Sequence, residues 1–292
     1  MTRPLLFGLL ATVMLASLLQ AWPSQVKGLY RDQVAVLMYH HVADDAESSS
    51  TVSTSLFRNQ LSYLKASGYR FITMQDFIRY YEGGSVPEKA VLVTFDDGYR
   101  SFYTNAYPIL KELDVPAVNF AITQDLADPD SPSIPTLKVE QVREMLTYRP
   151  GMFDVQCHTH GLHYKVGHDS ALTGRLPTEA GLAETDEEYA ARIRQDSLAC
   201  ARELQELYSD PGAAQTYAYP YGLHSKPAQS YIREAGFRYA FTIVGGMATR
   251  AVDPMAIPRI NAGHPGIEPE YLDKSIQLRI QRTPRQGKPG DA

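Results

Sequence analysis

Two cysteines in 292 residues, Cys157 and Cys200, are too few and too far apart for a disulfide framework or a cysteine metal site. They pair only if the fold brings them together. The chain also lacks a Gly-x-Ser-x-Gly elbow, a phosphate-cradling glycine loop and a His-Glu-x-x-His helix, so the common serine-hydrolase, nucleotide and zincin signatures are absent. Basic charge is scarce. Lys and Arg number 28 against 33 Asp and Glu, a net charge of −5, so nothing supports binding to nucleic acid. There is no internal repeat, and no linker argues for a second domain. Charged residues make up an ordinary 21%, and the length suffices for a full hydrophobic core.

Long apolar runs are confined to the N-terminus. Arg3 precedes an uncharged stretch from Pro4 to Val26 with its apolar centre over 5–19. That length lies between a signal-peptide core and a transmembrane helix, and its charge sits only at the start. Residues 1–26 are therefore expected to be a signal peptide or membrane anchor, placing the protein outside the cell, secreted or held on the outer face of the membrane. No cysteine follows for a lipid anchor. A single folded unit is expected over 27–280, and the basic tail over 281–292, rich in Pro and Gly, is expected to be disordered.

Between these ends, short apolar runs alternate with helical patterns. Strands are predicted over 34–39, 90–95, 117–122, 153–157, 216–219, 239–244 and 257–260. Helices are predicted over 55–66, 74–82, 104–113, 138–146, 186–208 and 227–235, with Thr54 and Thr73 as N-caps and Gly68 and Gly236 as stops. Seven strands alternating with helices predict an α/β fold with a parallel sheet, open or closed. The long polar segments over 44–53, 125–135 and 165–185 all follow strands. They should gather at the carboxyl side of the sheet, where such folds place their sites.

What the strand ends carry is chemistry. Thr94-Phe95-Asp96-Asp97-Gly98 delivers two carboxylates to the end of a buried strand, where an unpaired charge is costly. Alone, Asp-Asp-Gly is a turn sequence. With Gly98 free to take positive φ, both carboxylates can reach one cavity, one to bind a metal and one to take a proton. A second strand ends in His158-Thr159-His160-Gly161-Leu162-His163. Imidazole is the commonest metal ligand. His158 and His160 share a face if the strand continues, while His163 swings back only through a turn at Gly161. Cys157 should point away from His158, into the core. His40 and His41 end the first strand and His264 follows the last, while His168 and His224 read equally well as surface groups. Pro220-Tyr221-Gly222 forms a tight turn able to offer the Tyr221 N–H to a developing oxyanion, although Pro-Gly turns are ordinary in loops.

Together, Thr94–Gly98, His158–His163 and Pro220–Gly222 resemble the motifs of the polysaccharide deacetylases, carbohydrate esterase family four, over about 33–264. The resemblance implies a distorted (β/α)7 barrel and hydrolysis of N-acetyl groups on amino sugars. It implies Asp96 as general base and Asp97, His158 and His163 as ligands of a divalent metal, most simply Zn²⁺, with Co²⁺ or Ni²⁺ also suited to such donors. Two departures narrow it. His158 and His163 are five apart where the family usually spaces its ligands by four, and Ala218 stands where an Arg usually precedes the Pro-Tyr pair. Both features, and Met38-Tyr39-His40-His41-Val42, are similar to the branch acting on poly-β-1,6-N-acetyl-D-glucosamine. That branch implies His40 as catalytic acid and leaves His264 a secondary candidate for that role; Tyr221, the expected oxyanion donor, and His264 are also expected to contact substrate. His160 is a secondary ligand candidate, and Asp253 and Arg259 are secondary candidates for tuning the base. Rival expectations are a deacetylase of peptidoglycan or a chitin-like β-1,4 glycan, another amide hydrolase, and a non-catalytic glycan-binding module.

Overall fold

The computed structural model describes residues 30–45 and 48–281. The expected leader, nearly all of the expected tail and part of the 44–53 segment lie outside the described residues. Eight parallel strands form one sheet: β1 (Val34–Tyr39), β2 (Arg70–Phe71), β3 (Ala90–Phe95), β4 (Ala117–Ile122), β5 (Phe153–Thr159), β6 (Thr216–Ala218), β7 (Tyr239–Phe241) and β8 (Ile260–Asn261). Their order is β7-β6-β5-β4-β3-β1-β8, with β2 paired to the first residues of β3. The sheet is curled. Ile260 pairs with Leu37 of β1 at one edge while Ile257, three residues earlier, bridges Phe241 of β7 at the other. The segment 257–261 thus spans both edges of the curl. A mixed α/β fold with a curled parallel sheet matches the expectation.

Alternation along the strands divides the core. Ala35, Leu37, Val91, Val93, Phe95, Val155 and Cys157 belong to the larger cluster, which the helices cover. Val34, Val36, Ala90, Leu92, Val118, Phe120, Ala218 and Ile257 form the second cluster, against Phe77 and Tyr80. Both sets are fully buried, so each strand reads as a continuous apolar run rather than an alternating one. Residues continuing the second parity, Thr94 on β3, Asp96 directly after it and His158 on β5, point where the smaller cluster lies, towards the inside of the curl.

The helices are α1 (Thr54–Ala66), α2 (Met74–Tyr81), α3 (Tyr107–Leu113), α4 (Val139–Tyr148), α5 (Asp186–Tyr208), α6 (Lys226–Glu234) and α7 (Pro269–Gln277). Thr73 caps α2 in a capping box. Ser53, not Thr54, caps α1, because Thr54 is engaged by Asp44 through both its N–H and its hydroxyl. Gly68 and Gly236 follow their helices at positive φ, as expected of stops. The helix expected over 104–113 instead opens with a π-turn, Phe102–Ala106, in which the Tyr107 N–H reaches Phe102 O. Pro108 has no N–H for the α-ladder, so the wider turn precedes it. The strand expected over 239–244 stops at Phe241, and Ile243 and Val244, 51% and 63% exposed, are surface residues rather than core. The strand expected over 257–260 is displaced to Ile260–Asn261. Helix α7 was not expected. It buries only Leu272 and Ile276, too sparse an apolar stripe to read from sequence.

Candidate active site

Asp96 directly follows β3 on the inward parity and is 2% exposed. Arg259, fully buried in the closing segment, grips it bidentately, Nη1 to Oδ1 at 2.7 Å and Nη2 to Oδ2 at 2.6 Å. The rest of the guanidinium is also used. Nε donates to Thr242 O, and Nη1 also approaches Thr94 Oγ1. Burial pushes the Asp96 carboxyl up, but the Arg259 charge and its hydrogen bonds outweigh it and hold the group below the usual carboxylate range. Ala218 belongs to the same inner cluster. The strand that ends at Ala218 offers Asp96 no arginine, and the one that pairs with it arrives from the far end of the chain.

Asp97 leaves the strand with φ of 73°, and Gly98 follows at 72°. Two successive left-handed residues turn the chain over β4. A Cβ on Gly98 would lie 3.2 Å from Ala121 Cα, so glycine is required there by both space and φ. The Asp97 carboxylate then faces two imidazoles. Its Oδ1 is 3.3 Å from His158 Nε2 and 3.2 Å from His163 Nε2, and one ligand atom from each of the three residues lies within 4.8 Å of the others. His158 Nδ1 is 2.8 Å from Ala218 O, which can only accept, so Nδ1 carries the proton of the neutral ring and Nε2 presents its lone pair to the carboxylate. Acceptors converging on acceptors call for a cation between them, and a carboxylate with two imidazoles is a donor set that suits a divalent metal. Burial lowers His163, but Asp97 raises it overall.

The third strand end closes the site. Tyr221 takes φ of 57° inside the Pro220–Gly222 turn, and its ring stacks on His163 with centroids 4.7 Å apart. Its hydroxyl donates to His163 O at 3.3 Å. At Gly222, φ is +68° and a Cβ would meet Ile243 Cγ1 at 2.4 Å, so this turn also needs its glycine. His40 sits beside the buried pair. Its Nε2 is 3.9 Å from Asp96 Oδ2, and its buried Nδ1 has no hydrogen-bond partner among the described residues.

The remaining candidates fall elsewhere. His160 turns its Nδ1 to Thr123 Oγ1 at 3.0 Å and is not among the three converging residues. His264 is exposed, accepts from the Gly266 N–H, and lines a separate cavity of about 620 Å³ with Asp44 and Ser53. Asp253 is held by Lys226, Arg233 and the Met255 N–H, so of the two tuning candidates only Arg259 reaches Asp96. Two contributors were not read from the sequence. Tyr99 lies beside Asp97, and burial followed by that carboxylate's charge drives the phenol's pKa upward. Its place directly after Gly98 was the available signal. Asp196, midway along α5, bonds the turn that follows His158. Nothing in its local sequence marks it.

Residues 83–240 match the family described as polysaccharide deacetylase. Among characterised proteins, the chain is 31% identical over 219 residues to the poly-β-1,6-N-acetyl-D-glucosamine N-deacetylase of Staphylococcus epidermidis, covering 75% of this chain and 70% of that protein. Among solved structures it resembles IcaB from Ammonifex degensii, with a TM-score of 0.67, 28% identity, and coverage of 84% of this chain and 97% of that one. A de-N-acetylase from Aggregatibacter actinomycetemcomitans shares the fold, with a TM-score of 0.73 at 24% identity over 84% of this chain and all of that one.

Proposed function

The chain belongs to the polysaccharide deacetylase family and is an N-deacetylase, and from that premise we propose that its substrate is poly-β-1,6-N-acetyl-D-glucosamine. The observation that carries this reading is the pairing of Asp96 with Arg259 and His40 beside an Asp97–His158–His163 triad. The names of the relatives add to it. An exopolysaccharide substrate also fits the N-terminal sequence, and we place the enzyme outside the cell, secreted or anchored at the outer face of the membrane.

In this reading Asp97, His158 and His163 hold a divalent metal, most simply Zn²⁺. Bound there, the metal supplies Lewis acidity, acidifying a water and polarising the acetyl carbonyl. The chain's own groups do the rest. Asp96, kept ionised by Arg259, accepts the proton of the attacking water. His40, protonated, donates to the departing amine, which leaves poorly as an anion. The Tyr221 N–H, at the head of its strained turn, stabilises the oxygen on which negative charge develops. The Tyr221 ring, stacked on His163, fixes that imidazole's plane and shields one of its faces from water. Acetate release from β-1,6-linked N-acetylglucosamine oligomers, with and without chelator and added metals, tests the reading. Equal or faster release from β-1,4 oligomers would overturn the substrate assignment. Glycan binding with no acetate release after metal addition would overturn the catalytic one.

A further inference from the structure

His163 is the ligand that strand periodicity cannot place. It lies four residues beyond the end of β5, and between them the chain must turn and return. The turn is tied down from outside the site by α5. Asp196, 8% exposed, accepts three hydrogen bonds from it: Thr159 Oγ1 at 2.7 Å and the His160 N–H at 3.1 Å on Oδ2, and the Gly161 N–H at 2.7 Å on Oδ1. Thr159 Oγ1 in turn accepts from the Leu162 N–H at 3.0 Å, so the bonds run unbroken to the residue before His163. One helical turn further along the same face, Cys200 is disulfide-bonded to Cys157, the neighbour of His158, with Cα atoms 6.2 Å apart.

We propose that α5 is the positioning element of the metal site. Asp196 holds the 159–162 turn so that His163 meets Asp97, and the Cys157–Cys200 disulfide keeps the helix at the height on β5 where Asp196 can reach. The physical reason is the five-residue ligand spacing. An irregular turn fixes no side chain by itself, and the backbone entropy of each free residue is a cost that metal binding would otherwise have to overcome. A buried carboxylate taking three donors from one turn removes that freedom in advance. Asp196 touches neither substrate nor metal. Its role is exerted through His163.

This inference rests on the metal reading above, so the experiment separates the two. Zinc affinity is measured on the full chain by competition with a chromogenic chelator, alongside circular dichroism of the metal-free protein and kcat and KM at saturating zinc. Wild type that takes up no zinc overturns the metal reading, and this inference with it. If wild type binds, Asp196→Asn is expected to bind zinc about 10–100-fold more weakly, with a wild-type spectrum and unchanged KM. Activity should recover as zinc is raised, a rescue that general misfolding would not show. The Cys157→Ser, Cys200→Ser double variant is expected to lose affinity in the same direction by a smaller factor. A folded Asp196→Asn with wild-type zinc affinity overturns the proposal. Should that variant fail to fold, Thr159→Val removes one donor to the same carboxylate, and wild-type affinity there overturns it equally.

Discussion

The two walls of the site are built by different means. One wall, Asp96 with Arg259 and Thr94, is made of residues on or beside strands and is sealed from water. The other, His163 with Tyr221, is made of turns, and both side chains are partly exposed. On the first wall the pleat aims the side chains, and a charge pair satisfies them. On the second, turns aim the side chains, and they hold only through contacts from other elements: Asp196 behind the turn, Tyr221 across the ring, and two left-handed residues at Asp97 and Gly98. A precise site can therefore have one wall set by sheet geometry and the other set by clamps. The two walls should fail differently when perturbed.

The largest expected effect is on the strand-built wall. Asp96→Asn should lower kcat/KM about 10²–10⁴-fold, the usual range for losing a general base, while zinc affinity, measured by chelator competition, stays near wild type. Near-normal turnover with metal bound would remove Asp96 from the mechanism.

Next in size is Arg259→Ala, which leaves a buried carboxylate unpaired. Denaturant unfolding should show a loss of about 3–5 kcal/mol. The same variant carries a pH signature. In the wild type the folded Asp96 carboxyl lies below its unfolded value of about 3.9, so the pair's contribution to stability is present above that value and is lost as pH falls through the lower folded one. Without Arg259, burial alone acts and raises the carboxyl. The acid limb of kcat/KM should then move to higher pH, and an unmoved limb would mean that Asp96 is not the titrating base.

The disulfide belongs to the turn-built wall and should matter less to folding. The Cys157→Ser, Cys200→Ser variant closes no 43-residue loop, and its stability should fall by about 2–4 kcal/mol, measured by the same unfolding. A loss as large as that of Arg259→Ala, with zinc affinity unchanged, would break the contrast between the two walls.

The smallest effect is expected at His160, whose ring faces Thr123. His160→Ala should change kcat/KM by less than about threefold, roughly 0.6 kcal/mol. Abolished metal binding would mean that His160, not His163, completes the triad.

The legibility of the site in the sequence follows the same division. The strands over 34–39, 90–95 and 117–122 were placed to the residue, because an apolar run bounded by turns leaves little freedom about where a buried strand starts and stops. Asp96, Asp97 and His158 were legible as strand-end residues. The false reading at Ile243 and Val244 has the same origin: an apolar dipeptide looks buried whether or not anything covers it. Asp253 and Arg259 could not be separated by sequence, since only the closure of the curl sends Arg259 inward and leaves Asp253 with Lys226 and Arg233. Asp196 was illegible because its partners lie 35 to 37 residues away, and its own helix is polar on most sides.

By itself, then, the sequence determined the alternation of parallel strands and helices, the side of the sheet that carries the chemistry, and the carboxylate and imidazole types gathered there. Periodicity and strand-end placement are local properties of the chain, and local pattern encodes them. Which partner each of those groups meets was decided only by the tertiary structure. The curl of the sheet brought Arg259 to Asp96 across 163 residues, and α5 brought Asp196 and Cys200 behind the histidine turn. Those pairings depend on which elements become neighbours when both faces of the sheet are buried, and no local pattern carries that information.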